Sequence, residues 1–158
     1  MVLFIRTRTN EGEIMNKKCI IGKINEISSN AKKFVSQKIK EKGLPILQNH
    51  IPLFYILPED GSPLLFNEIS NTWEISKSSL SDIINRYENI GLIKKCMCSE
   101  DKRSVYISLT KEAIDIKKTL ENIEAEFLDL ALYNFDNNER QTFEENIDKC
   151  LINVEKML

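Results

Sequence analysis

The sequence predicts a mainly α-helical chain with a small β-hairpin wing, built as a winged helix-turn-helix plus a helical dimerisation domain. Three stretches predict it. Residues 76–90 read as one amphipathic helix, residues 92–109 as two short strands around a charged turn, and residues 109–130 as a long helix with an apolar seam. A polar-faced helix followed by a hairpin with a basic tip is the arrangement of a winged helix-turn-helix.

Two helices are expected ahead of this unit. Apolar residues recur at helical spacing from Ile20 to Ile39, which predicts a first helix over 17–42. A second helix is expected over 45–57, where Pro52 either kinks the helix or shifts its start. A turn over 58–62 and a short helix over 63–70 follow.

The next helix has clear boundaries. Residues 71–74 are expected to form the turn before it, with Trp73 and Ile75 packing the two helices together. Ser76 is a good N-cap, and Gly91 stands where a left-handed residue ends a helix. Its inward face comprises Leu80, Ile83, Ile84, Tyr87 and Ile90.

The helices after the wing are expected to build a dimer. Apolar residues from Leu109 to Leu130 alternate steps of four and three, which is a heptad seam. A turn at 136–138 and a last helix over 138–157 follow. We expect a homodimer, and the alternative is a seam that serves as an ordinary core stripe within one chain. The interface residues we assign are Ile116, Leu120, Ile123, Phe127, Phe143 and Ile147.

Three motifs stand in order: the run Asn85–Lys94 containing Glu88, Gly91, Leu92 and Ile93, then Asp101-Lys102-Arg103, then a Leu-Thr pair at 109–110. Together they resemble the MarR family, the multiple-antibiotic-resistance-type winged helix-turn-helix transcriptional regulators. The specific motifs lie within 64–110, and the order of elements is similar over 17–158. The resemblance implies a regulator, most simply a repressor, that binds an inverted-repeat operator in double-stranded DNA.

The DNA contacts are expected from the second helix of the motif and from the wing. N-terminal residues of such a helix reach base edges in the major groove. The resemblance implies that Arg103 enters the minor groove and that Asp101 orients it, while Lys102 adds a phosphate contact. The alternative is a solvated helix face and a hairpin-tip salt bridge. The helix residues we assign to DNA are Lys77, Ser78, Ser79, Ser81, Asn85 and Arg86.

Charge and composition limit the other functions. The net charge is −2, with +6 over residues 1–43, −2 over 44–110 and −6 over 111–158, so a strongly basic DNA footprint is missing. This keeps open the alternative of a winged-helix adaptor that binds protein without specific DNA binding. The sequence shows no nucleophile–base pair, phosphate-binding loop or catalytic carboxylate pair, so it does not predict an enzyme. We also expect no cofactor.

The chain is expected to be cytoplasmic. No apolar run approaches the length of a membrane span, and four cysteines without a secretory signal suggest a reducing compartment.

Translation could start at Met1 or Met15, so residues 1–16 are read as a disordered extension. The dimerisation domain is then 17–43 with 111–158, and the winged helix-turn-helix is 44–110.

A sensor is expected, since the resemblance implies release of DNA on binding a small ligand or on oxidation. We assign a ligand pocket to Phe34, Phe54 and Tyr55. Cys19 is the candidate redox sensor, because a helix start behind two lysines favours thiolate; the alternative is an ordinary helix cysteine.

The remaining metal-binding side chains predict no metal site. The single histidine, His50, reads as a packed or capping side chain, and no His/Cys cluster has zinc-site spacing. Cys96 and Cys98 share one face of a strand and read either as packed residues or as thiols for a soft metal or oxidation.

Overall fold

A computed structural model describes residues 19–97 and 104–157, without the side chain of Met97. Within these residues the chain forms six α-helices, one short 3-10 turn and three strands. The helices are α1 (Ile20–Glu41), α2 (Ile51–Ile56), α3 (Phe66–Trp73), α4 (Lys77–Asn89), α5 (Lys111–Ala131) and α6 (Asn137–Glu155). The strands are β1 (Leu64–Leu65), β2 (Ile93–Met97) and β3 (Val105–Leu109), and the 3-10 turn is Gln48–His50. The mainly helical winged fold is as the sequence predicts.

The three strands form one antiparallel sheet in the order β1-β3-β2. The wing hairpin pairs Ile93 with Leu109 and Lys95 with Ile107, and β1 joins the other edge by pairing Leu64 with Ile107. The strand β1 corrects the expectation of a helix over 63–70. The helix begins at Phe66 and continues to Trp73, so most of the expected turn at 71–74 is helical.

Pro52 marks the start of the second helix rather than a kink within it. It occupies the first turn of α2, where its missing N–H costs no helical hydrogen bond. The segment before it, Gln48–His50, is a separate 3-10 turn. The expected helix over 45–57 is therefore shorter and begins at Ile51.

One core holds α1, α2, α3, α4, the sheet and the first half of α5 together. Leu53, Phe54, Leu80, Ile84 and Tyr87 are fully buried in it. Their removal from water is the main stabilising contribution, at about 25 cal/mol per Å² of apolar area. The inward face of α4 is as expected except at Ile90, which is 44% exposed because it lies at the end of the helix.

The apolar seam of α5 is a core stripe of the single chain, which corrects part of the expected dimer interface. Ile116, Leu120 and Ile123 are buried without any partner chain, since this face of α5 packs on the helices of its own chain. Phe127 is half-buried against Phe34, with ring centroids 5.6 Å apart. The remaining two assigned residues lie on α6, where Phe143 packs on Phe135 and Ile147 is exposed.

Uncovered apolar side chains lie elsewhere, at the N-terminal half of α1 and along α6. No residue of α6 is buried. This apolar surface comprises Ile20, Ile21, Ile24, Ile27, Ile147, Leu151, Ile152, Val154 and Met157. Apolar side chains grouped on exposed helices are typical of protein–protein interaction sites. None of the described helices is long and apolar enough to cross a membrane.

Candidate nucleic-acid interface

The helix α4 presents a polar face opposite its buried stripe. Ser76 caps the helix, with its Oγ accepting the N–H of Ser79 at 3.1 Å. Gly91 follows the helix with φ of +78°, a conformation that glycine adopts without steric cost. On the outer face, Ser81 is half-buried and the other five assigned residues are exposed, namely Lys77, Ser78, Ser79, Asn85 and Arg86.

A short turn joins α3 to α4. Glu74 follows α3 in the left-handed conformation at φ 56°, which ends that helix. The hydroxyl of the buried Ser70 donates to the carbonyl of Ile75 at 2.8 Å. Trp73 and Ile75 pack on the core, as the sequence predicts.

Tyr87 anchors the inner face of α4 to the segment before α2. Its hydroxyl accepts the N–H of Leu47 at 3.1 Å and lies 3.0 Å from Nδ1 of His50. Since the phenol oxygen already accepts from Leu47, its own O–H is available to donate to Nδ1, which requires a neutral imidazole protonated at Nε2. His50 also stacks edge-on against Trp73, at 6.5 Å between centroids. His50 is therefore a packed residue, as expected.

The surroundings of this contact favour the uncharged forms of both rings. Burial lowers the pKa of His50, and the positive charge of Arg86 lowers it further. Burial likewise raises the pKa of Tyr87. Both effects follow from the cost of placing a charge away from water.

Lys95 on β2 is a site residue that the sequence reading missed. Its Nζ donates to Oδ1 of Asn85 at 2.6 Å and lies 2.5 Å from Oε2 of Glu88, so it links the wing to the outer face of α4. The only sequence signal for Lys95 was the pair of basic residues Lys94 and Lys95 in a predicted strand. Its contacts with side chains of α4 cannot be read from the sequence. The wing residues Asp101, Lys102 and Arg103 lie outside the described residues.

The helix α4 carries no net charge. Lys77 and Arg86 are balanced by Asp82 and Glu88 within α4. Lys95 on β2 pairs with the same Glu88, so α4 and Lys95 together have three basic and two acidic residues, a net charge of +1. The described part of this face can therefore offer hydrogen bonds to bases and only a weak attraction to phosphate.

A cavity of about 250 Å³ lies between α1, α2 and α5. At its edge Tyr55 donates its hydroxyl to Oε2 of Glu124 at 3.1 Å, and Nζ of Lys117 lies 5.6 Å above the Tyr55 ring. Lys117 is in turn paired with Glu59 at 2.9 Å. Burial raises the pKa of Tyr55, and the carboxylate of Glu124 adds to the shift. The lining is otherwise mostly apolar: Ala31, Val35, Ile51, Leu120, Phe127 and Leu128.

The cavity differs in part from the expected ligand pocket. Tyr55 lines it, whereas Phe54 is buried in the core and packs on Tyr87 at 5.4 Å between centroids. Phe34 does not line the cavity and packs on Phe127 beside it. Phe54 and Tyr55 are neighbours on α2 and therefore point in different directions.

Three cysteines of the described residues are exposed, namely Cys19, Cys96 and Cys150. Cys19 is the N-cap of α1, where its Sγ accepts the N–H of Gly22 at 3.1 Å. Its redox role stays a prediction. Cys96 is exposed and pairs with Tyr106 in the sheet, and Cys98 lies outside the described residues. Within 19–97 and 104–157, no three side chains of metal-ligating type come together.

No protein-family model and no curated protein matches the chain. Solved structures do match it. A MarR family protein from Bacillus stearothermophilus has a TM-score of 0.73 at 22% identity, over 94% of this chain and 99% of that one. A MarR transcriptional regulator from Methanosarcina mazei Go1 has a TM-score of 0.73 at 19% identity, over 87% and 98% of the two chains.

Wild-type MarR from E. coli, in the apo form, has a TM-score of 0.69 at 15% identity, over 84% of this chain and 96% of that one. The chain therefore has the winged-helix fold of MarR family regulators over most of its length. This confirms the structural resemblance that the motifs over 85–110 predict.

Proposed function

We propose that the chain is a DNA-binding transcriptional regulator of the cytoplasm, and not an enzyme, that binds an inverted-repeat operator as a homodimer. The outer face of α4, the proposed recognition helix, carries this proposal. It presents Lys77, Ser78 and Ser79 at the N-terminal end of a helix whose opposite face is locked into the core. Serine hydroxyls and lysine can both bond to base edges in the major groove. Occupying an operator blocks access to it, so repression is the simplest output.

The apolar surface on α1 and α6 supports the homodimer. Leu151 on α6 and Ile24 on α1 are each 57% exposed in the single chain, and leaving such large apolar side chains in water is unfavourable. A second copy would cover both helices through a two-fold axis. Such a dimer presents two recognition helices, and half-sites about 10 bp apart would place them in successive major grooves.

The cavity supports a response to a small, mostly apolar ligand. It lies where α2 meets α1 and α5, so it touches both the helices of the proposed dimer and the winged unit. Tyr55 lines it, while the preceding residue Phe54 packs on Tyr87 of the recognition helix. A ligand that moves α2 would therefore act directly on the packing of α4.

The alternative is an adaptor that binds protein through the same face. The zero net charge of α4 favours it, because nonspecific attraction to DNA comes from an excess of lysine and arginine over acidic residues. The two functions are separated by selecting duplexes from random DNA and measuring gel shifts at matched salt. Enrichment of an inverted repeat, bound at least about a thousandfold more tightly than random duplex, supports the regulator. Equal affinity for both duplexes would favour the adaptor.

A further inference from the structure

A lysine-lined groove runs along one face of α1, and none of its lining residues belongs to α4 or to the cavity. Its volume is about 420 Å³. Lys32, Lys33 and Lys40 provide the charge, and Ser29, Ser36 and Gln48 provide hydroxyl and amide groups. The α1 residues recur at steps of three and four, so they form one face of the helix.

The three lysines have no acidic partners within the described residues. Other lysines do: Lys38 lies beside Glu126, Lys117 beside Glu59, and Lys149 beside Glu145. The helix α1 as a whole has five lysines against two glutamates. A surface that keeps three neighbouring lysines unpaired has a positive potential and attracts anions.

The groove is fixed relative to the recognition helix through two adjacent residues. The amide of Gln48 donates to the carbonyl of Lys32 at 2.5 Å, and the N–H of Leu47 donates to the hydroxyl of Tyr87 at 3.1 Å. The segment 47–48 therefore holds α1 on one side and α4 on the other. A ligand long enough to contact both α4 and the groove would therefore meet two surfaces in a fixed relative position.

We propose that this groove binds DNA backbone phosphates beyond those that α4 and the wing contact. The inference rests on the proposed function and explains how a recognition helix of zero net charge could bind a polyanion. Lysine suits this task, because it binds phosphate as a point charge without sequence preference. The groove would add affinity, and α4 would supply the choice of sequence.

The spacing of the lysines favours a polyanion over a small anion. Lys33 and Lys40 are seven residues apart, which is about 10 Å along a helix. Charges spread over that length can face several phosphates, since each DNA strand has one phosphate for about every 3.4 Å of helix axis. A small anion needs donors that converge on one point, whereas these side chains are spread along the helix.

The test compares K32Q/K33Q/K40Q with K118Q/K149Q/K156Q, which removes the same charge from exposed positions on α5, on α6 and at the C-cap of α6. Affinity for selected and random duplexes is measured as a function of salt. We expect the groove variant to bind both duplexes at least about tenfold more weakly at low salt, with a salt slope reduced by about 0.9 for each phosphate that it no longer binds. The control variant should match wild type, and the preference for the selected duplex should survive in both.

Equal salt slopes in the two variants would overturn the proposal. So would a small-anion result, in which inorganic pyrophosphate raises the Tm of wild type but not of the groove variant while DNA affinity is the same in both. Failure of the proposed function looks different, because wild type itself would then show no preference for any selected duplex. Circular dichroism of both variants checks that the exposed substitutions leave the fold intact.

Discussion

Tyr87 of the recognition helix and His50 of the 3-10 turn form a polar contact at the centre of the winged unit. Their Oη and Nδ1 atoms are 3.0 Å apart, and the same hydroxyl accepts the N–H of Leu47 at 3.1 Å. The Tyr87 side chain is fully buried. One phenol thus sets the position of α4 against the segment that precedes α2.

Replacing Tyr87 with phenylalanine should destabilise the fold. The change keeps the ring and removes two hydrogen bonds, which leaves the Leu47 N–H and His50 Nδ1 without their partner. The free energy of unfolding in urea should fall by about 1–3 kcal/mol. Tyr133→Phe is the matched control, because Tyr133 is 79% exposed. An equal, small effect in both variants would mean that the contact adds nothing to stability.

Stability should depend on the protonation of His50. The folded state lowers the pKa of this imidazole below its ordinary value of 6.5, so the unfolded chain binds the proton more readily. The stabilisation is complete above the unfolded pKa and is lost as the pH falls through the folded pKa. Wild type should therefore lose more stability than His50→Gln as the pH is lowered from about 7 to 5.

The chain has one histidine, so its titration can be followed without assignment. The single imidazole resonance should give a pKa below that of a model peptide in the native protein, and the ordinary value in urea. Identical pKa values in the two states, or identical pH dependence of stability in wild type and His50→Gln, would show that His50 does not make stability depend on pH.

Two substitutions of leucine by aspartate should separate the core from the proposed dimer interface. Leu120 is 3% exposed, so Leu120→Asp should cost more than about 4 kcal/mol and unfold the chain. Leu151 is 57% exposed, so Leu151→Asp should keep the helical circular dichroism signal and yield a monomer by sedimentation. A wild-type chain that sediments as a monomer at micromolar concentration would contradict the dimer.

Filling the cavity should abolish the ligand response while leaving DNA binding intact. Ala31 lines the cavity, and Ala31→Phe would occupy much of its 250 Å³. A ligand found by thermal-shift screening should stabilise wild type by about 2.7 kcal/mol at a hundred times its Kd. It should have no effect on the Tm of Ala31→Phe. Equal stabilisation of both would place the ligand elsewhere.

Local signals predicted the winged unit because they are contained in short stretches. The cap at Ser76, the glycine at 91 and the alternation in 105–109 each depend on a few neighbouring residues. The strand β1 has only two residues, which is too short for any periodicity. It forms because its backbone pairs with β3, a partner about forty residues away in sequence.

The role of the α5 seam and the lining of the cavity were harder to predict from sequence, because both depend on what lies opposite a side chain. An apolar stripe such as Ala113 to Ile123 shows that a face is buried, but not whether its own chain or a second copy covers it. Phe54 and Tyr55 are both aromatic residues of one short helix, yet only Tyr55 reaches the cavity. Long-range pairs such as Lys95 with Asn85 carry no sequence signal for the same reason.

The most direct test of the central claim is the base preference of the outer face of α4. Affinities of wild type and of Lys77→Ala/Ser78→Ala are measured for the selected operator and for the same duplex with one half-site scrambled, at one salt concentration. Both residues are exposed, so the variant should fold normally. Wild type should prefer the intact operator, and that preference should fall by about 1–3 kcal/mol for each base that the variant no longer reads. Equal discrimination by wild type and variant would contradict the account, because sequence would then be read by some other part of the chain.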